Sequence, residues 1–378
     1  MTFRFIHTAD WQLGRAFGNL PPELAGELSG ARYAAIARIA GIASANGARH
    51  VLVAGDIFDA EDLSNTMLRR ALERMAEQSA VTWVLLPGNH DPARTGGVWD
   101  RVMRFGVPAN IICVREDQPL ALDGNVFVLP SPLTSKNPGR DPTQWMDTGA
   151  TPAGAVRIGL AHGSVQGFGS DGESSVLIAR DRAATAGLSY LALGDWHGAL
   201  RVGPQTWYSG TPEPDRFPNN EPGHVLAVSV DGPGVAASVE KIASAQFTWA
   251  RTTAALRSSS DLAGLEASVA SLSTSPGKLL LKLVLTGSLS LSEHADLDAW
   301  RETWQARLAH LDVDTAALAV RPVDQDFENL GSDGPLVEAA RSLADIASDP
   351  TRPDSAVAAL ALQRLFGFAA QARREGGA

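Results

Sequence analysis

The 378-residue chain has one cysteine, Cys113, and only four lysines among its 32 basic residues. A lone cysteine excludes an intrachain disulfide and a cysteine-based zinc site, and it fits a reducing compartment. Long apolar runs are missing too. The longest, near Leu279 to Leu285, is broken by Lys282 and is far too short to span a bilayer. Met1 to Asp10 has no apolar core of the kind a secretory signal needs. A cytoplasmic protein with no membrane attachment is therefore expected. Broad basic character is lacking as well: the net charge is −10. That argues against bulk coating of nucleic acid, though not against a local phosphate site or a metal-mediated contact. The arginines are scattered, as a coding bias towards Ala, Gly and Arg would leave them.

Hydrophobic residues make up 44% of the chain and charged residues 20%, enough to bury a core. Residues 3–8 alternate as a strand. Residues 30–46 are Ala-rich with helical spacing and stop at Gly47. Residues 50–54 and 81–86 are apolar strands, and 62–78 reads as a helix between them. This β-α-β-α-β order predicts strands buried under helices. Short apolar runs follow at 109–114, 125–129, 156–161, 189–193, 206–208, 224–230 and 235–242, separated by Gly, Pro and Asp turns. Beyond residue 246 an αβαβ unit is expected: a short helix within 257–275, strands at 278–286 and 316–321, and a helix over 292–310. Residues 325–334 read as a polar linker, and 335–347 and 353–372 as two helices.

Polar residues stand where these strands end: Asp10-Trp11-Gln12, Gly55-Asp56-Ile57-Phe58-Asp59, Gly88-Asn89-His90-Asp91, Ala161-His162-Gly163 and Gly194-Asp195-Trp196-His197. Taken singly, each is an ordinary turn, helix cap or packed histidine. Taken together, they lie where a layered sheet gathers its strand ends, and that is where sites form. Carboxylate, amide oxygen and imidazole suit divalent ions such as Mn, Fe or Zn. Two ions about 4 Å apart need a bridging ligand and can clamp an in-line phosphoryl displacement.

The order D-x-(H), GDxxD, GNHD, H, GHxH resembles the calcineurin-like metallophosphoesterase superfamily. More narrowly, HTADWQLGR at 7–15, GDIFD at 55–59, PGNHD at 87–91 and YSGTPEPDRF at 208–217 resemble the SbcD/YhaO-type DNA repair nuclease subunits. The resemblance implies a layered αββα sandwich over 1–245, a smaller α+β capping domain over 246–325 and a helical tail over 335–378. It implies one metal held by Asp10, Gln12, Asp56 and His197, and a second held by Asp56, Asn89, His162 and Asp195, with Asp56 bridging. It further implies that His90 acts on the phosphate and that Asp91 orients His90. The implied activity is a DNA exonuclease or endonuclease needing two divalent ions, with Mn expected ahead of Mg, Fe or Zn. The expected partners are DNA, an SbcC-like coiled-coil ATPase docked on the tail, and a second copy of the chain. A small-molecule or nucleotide phosphodiesterase and a weakly active binding subunit are the alternatives.

Two positions depart from the family pattern. Gln12 and Asp195 stand where imidazoles are usual, so each metal loses one nitrogen donor and the set shifts towards harder ions. His7 falls on the opposite side of its strand from Asp10 and is expected to be structural.

Overall fold

The computed structural model describes residues 2–167, 176–217, 220–331, 334–349 and 351–376. Residues 332–333 of the expected linker and 377–378 of the tail lie outside them. The chain folds as two compact units, Met1–Phe247 and Thr248–Ala378.

The first unit holds two six-stranded sheets. Across one run Ser238–Ala243, His224–Val230, Phe3–Thr8, His50–Val53, Thr82–Leu85 and Ile111–Cys113. The last four are parallel to one another, and His224–Val230 is antiparallel to both of its neighbours, Phe3–Thr8 and Ser238–Ala243. Across the other run Leu200–Arg201, Thr206–Tyr208, Tyr190–Gly194, Val156–His162, Val126–Ser131 and Leu120–Ala121. Its four inner strands are parallel and its two edge strands antiparallel.

Strand alternation divides the side chains between layers. Phe5, Leu52 and Val84 meet Val128, Ile158, Leu160 and Tyr190 in one apolar core. Their neighbours Ile6, Val51, Val53 and Trp83 face the opposite way, onto Ile36 and Ile39 of helix Pro22–Ala45 and Leu68, Leu72 and Met75 of helix Asn65–Ala76. On the outer face of the second sheet, Leu129, Leu191 and Leu193 pack with Met146, Ala183 and Leu188. The expected αββα layering is present, and strands buried on both faces explain the near-continuous apolar runs. The helix expected to begin at residue 30 begins at Pro22. Proline is tolerated at a first helical position because its missing N–H would have no intrahelical partner there.

In the second unit, strands Thr248–Leu256, Leu279–Leu289 and His310–Val320 form a parallel sheet with Leu279–Leu289 central. Leu281, Leu283 and Leu285 pack against Leu262 and Leu265 of helix Ser259–Ser271 and Trp300 and Trp304 of helix Leu291–Arg307. The polar stretch expected to be a linker contains helix Asp324–Leu330. Its Asp326 is buried and accepts from the backbone N–H groups of Leu291 and Ser292. Helices Pro335–Ser348 and Ser355–Gly376 are not on a free tether. Ala340, Leu362 and Phe366 close with Phe327 onto Leu291 in one apolar cluster. Leu and Phe side chains gain about 1.5–3 kcal/mol each on burial, which favours docking over solvation. Among the described residues, no helix is long and apolar enough to cross a membrane.

Candidate metal centre

The polar strand ends converge from both sheets of the first unit. The segments after Phe3–Thr8 and His50–Val53 run side by side, with Asp10 N–H donating to the Gly55 carbonyl at 3.1 Å and Gln12 N–H to the Asp56 carbonyl at 3.0 Å. This sets Asp10 against Asp56. From the second sheet, Gly163 N–H donates to the Gly194 carbonyl at 3.2 Å, holding the turns that carry His162 and Asp195 together. One ligand atom each from Asp10, Asp56 and His162 lies within 4.8 Å of the others, and all three residues are buried.

The backbone is strained here. Asp10, Gln12, Asp56 and Asp195 all have positive φ, at 55°, 49°, 54° and 101°, and among the described non-glycine residues only Phe17 joins them. Such conformations cost of order 1–3 kcal/mol each and persist where the surroundings over-determine them. Packing is equally tight. A Cβ on Gly55 would lie 2.2 Å from His162 Nδ1, and one on Gly88 would lie 2.2 Å from Asp56 Oδ1.

Hydrogen bonds fix how the donors point. His162 Nδ1–H donates to the Ala54 carbonyl at 2.8 Å, so Nε2 is directed into the cluster. There it lies 2.9 Å from Asn89 Oδ1, 3.5 Å from Asp56 Oδ1 and 3.9 Å from Asp195 Oδ1. Turned over, which satisfies more hydrogen bonds, the Asn89 amide nitrogen donates to both Asp56 oxygens, at 3.2 and 3.3 Å, and to His162 Nε2 at 2.9 Å; the opposite orientation, with the oxygen inward, is the one that offers Asn89 as a ligand. Asp56 also accepts from His90 N–H and from Gln12 Nε2, each at 2.9 Å. Gln12 is buried, and its Oε1 has no hydrogen-bond partner. Asp10 accepts from Asp195 N–H at 3.2 Å. His197 Nδ1 lies 3.3 Å from Asp215 Oδ1, which turns Nε2 away from that carboxylate.

The electrostatics suit a cation. Burial pushes the Asp10 carboxyl up to about 6 against the pull of the His197 and His162 imidazoles, with Asp56 and Asp195 adding to the rise. Burial pulls the His162 imidazole down, but Asp56, Asp10 and Asp195 together raise it to about 9. Carboxylates gathered this densely, an amide oxygen without a partner and a directed imidazole form a donor set that fits divalent ions.

All seven expected metal-site residues lie at this edge. Asp10, Gln12, Asp56, Asn89, His162 and Asp195 are linked by the contacts above, and His197 acts on Asp10 through its charge. His90 stands beside them, 46% exposed at its side chain, with Nε2 3.9 Å from Asp56 Oδ2. Asp91 does not orient it. The Asp91 carboxylate is fully buried and accepts from Gly88 N–H at 2.7 Å and Phe58 N–H at 3.1 Å, so it pins two turns instead. The group that fixes His90 is the Asp59 carbonyl, 2.9 Å from Nδ1. His7 lies outside the cluster, bridging the sheets through Tyr190 Oη at 2.9 Å and the Leu193 carbonyl at 3.2 Å. Burial lowers its imidazole to about 3, so it is neutral.

Asp215 and Arg15 carry structural roles that the strand-end pattern does not single out, and that pattern includes Asp59 without a role. Arg15 and Asp215 lie inside the HTADWQLGR and YSGTPEPDRF motifs, the signal that could have pointed to them.

No curated protein matches the chain. Among solved structures, the crystal structure of TT1561 of Thermus thermophilus overlaps 64% of this chain and 99% of its own, at 12% sequence identity and a TM-score of 0.38. Residues 3–198, which span the strand-end cluster through His197, match the model of the calcineurin-like phosphoesterases. The chain belongs to the calcineurin-like phosphoesterase family, whose members are metal-dependent hydrolases.

Proposed function

We propose that the protein is a metal-dependent phosphodiesterase that cleaves DNA, in repair, as a homodimer with an SbcC-like coiled-coil ATPase. The observation that carries the hydrolytic reading is the pair of carboxylates, Asp56 and Asp195, facing His162 Nε2, with the exposed ring of His90 beside it. Asp10, Gln12, Asp56 and His197 would hold one ion. Asp56, Asn89, His162 and Asp195 would hold the other. Oxygen donors outnumber nitrogens, which favours Mn or Mg over Zn. When bound, such ions supply Lewis acidity and a water activated near neutral pH.

The chain's own groups supply the rest. Asp59 fixes the His90 ring through Nδ1, leaving Nε2 to contact the phosphate or to hand a proton to the leaving oxygen. Gly55, Gly88 and the buried Asp91 keep the turns close, so the ligands need not reorganise. DNA as substrate is supported by the resemblance at 7–15 and 208–217. Leu360 and Phe368 of the last helix remain exposed and offer apolar surface to a partner. The net charge of −10 favours a second reading, a nucleotide phosphodiesterase, since a large polyanion would be repelled at long range.

A matrix of Mn, Mg, Fe and Zn against single-stranded DNA, double-stranded DNA and bis-p-nitrophenyl phosphate tests the proposal. Mn-dependent cleavage of DNA is expected. Cleavage of the small diester with every DNA left intact would favour the nucleotide enzyme.

A further inference from the structure

Behind the cluster lies a chain of charged groups that joins its two sides. His197 Nδ1 meets Asp215 Oδ1 at 3.3 Å, and Asp215 Oδ2 lies 3.4 Å from Arg15 Nε. Arg15 also donates from its other end to Asp59 Oδ1 at 3.2 Å. The backbone carbonyl of that same Asp59 holds His90 Nδ1. We propose that Asp215 is a positioning residue for His197, and that Arg15, by gripping Asp215 and Asp59 at once, ties the His197 side of the centre to the His90 side. The proposal rests on the reading that His197 faces a bound ion.

The environment of Asp215 favours this role over simple loop pinning. Its side chain is 2% exposed, and a buried carboxylate is costly unless paired. Two guanidiniums and an imidazole supply that pairing, with Arg15, Arg216 and His197 all within 3.4 Å of its oxygens. Arg216 makes an exposed contact at 3.2 Å to Asp215 Oδ1; its Nη2 also lies 3.1 Å from His197 Nδ1 and, able only to donate, competes with Asp215 for that nitrogen. Paired with guanidiniums, the Asp215 carboxylate can only accept, so where it rather than Arg216 partners Nδ1 the imidazole proton sits there and the Nε2 lone pair is left for an ion. The loop itself has separate anchors. Arg32 donates to the carbonyls of Trp11 and Glu213, at 2.6 and 3.0 Å, and the Glu213 carboxylate takes the N–H groups of Gln246 and Phe247. Asp215 is therefore available to serve His197.

Mn2+ titration of the metal-free full chain, followed by calorimetry, separates positioning from structure. It is paired with nitrogen-15 NMR of the His197 ring. In the wild type the ring proton is expected on Nδ1 and two ions should bind. Asp215→Asn offers an amide N–H to the ring, so the proton should move to Nε2 and one of the two ions should bind about 10- to 100-fold more weakly, the other unchanged. Arg15→Gln should weaken the same ion by a smaller factor, and Arg15→Lys should recover part of the loss. Arg15 is a third exposed, so its variants decide the matter if Asp215→Asn does not fold. A wild type that binds two ions, with isotherms and ring tautomer unchanged in folded Asp215→Asn and Arg15→Gln, would overturn the positioning role alone. A wild type that binds no Mn2+ would remove the phosphodiesterase reading and this one with it.

Discussion

His162 Nδ1 donates to the Ala54 carbonyl at 2.8 Å, and that one bond decides what the opposite nitrogen does. Nε2 is left 3.5 Å from Asp56 Oδ1, among acceptors. In the metal-free protein the ring is protonated below about pH 9, so its Nε2 proton stands among the groups that would ligate an ion. Binding must displace that proton. The sign follows: affinity rises with pH, by about tenfold per unit near neutrality, and levels off above about pH 9. Below about pH 6, Asp10 takes up a second proton and the dependence steepens. Calorimetry in buffers of different ionisation enthalpy should count at least one proton released at about pH 7.5, from His162 and, as far as its raised imidazole is charged, from His197 too. No release would mean that His162 is not a ligand.

His90→Ala should keep its metal and lose turnover. The ring is held by the Asp59 carbonyl and faces solvent, so it is placed for substrate rather than for an ion. A loss of about 10²- to 10⁴-fold in kcat is expected, the range for a positioned acid or base. Metal content equal to wild type supports the assignment, and loss of metal would make His90 a ligand.

Gln12→His should tighten one metal site. The Gln12 Oε1 is buried without a partner, and an imidazole is a better donor than an amide oxygen for Mn, Fe or Zn. Mn2+ titration should show stronger binding at one of two sites. Unchanged affinity would mean that this side chain serves only to hold Asp56 through its Nε2.

A chain ending at Gly331 should be markedly less stable than the whole. Ala340, Leu362 and Phe366 cover Leu291 and Phe327, and stripping them leaves those side chains in water at about 1.5–3 kcal/mol each. A lower thermal midpoint and poor solubility are expected. An unchanged melt would return the tail to the free tether that its polar flank suggests.

Legibility in the sequence followed burial. The strands at 50–53, 156–162 and 224–230 are largely buried, so their apolar runs announce them, and 3–8 shows by its alternation. Edge strand Thr248–Leu256 is exposed at alternate positions and is built from Thr, Arg and Ala, which gives no such run. Helix Asp324–Leu330 hides in polar sequence because Phe327 and Leu330 are its two apolar anchors while Asp326 serves a neighbouring turn. At the metal centre, residue identity at the strand ends was readable, but direction was not. Asp91 follows His90 in sequence and yet turns to Gly88 and Phe58, whereas Asp215, distant in sequence, reaches His197. Such pairings depend on how turns from different strands stack, and spacing along the chain does not encode that.

Asp56→Asn tests the shared ligand most directly, read by Mn2+ stoichiometry and bis-p-nitrophenyl phosphate hydrolysis on the same sample. Asp56 is the one side chain that Gln12, His90 and His162 all approach, so its charge serves both halves of the centre. The variant keeps the size of the side chain and should melt like wild type. Wild type should bind two ions, and Asp56→Asn should bind fewer and lose about a thousandfold or more in rate, roughly 4 kcal/mol. A folded Asp56→Asn protein with two ions and near-full Mn-dependent hydrolysis would contradict the account.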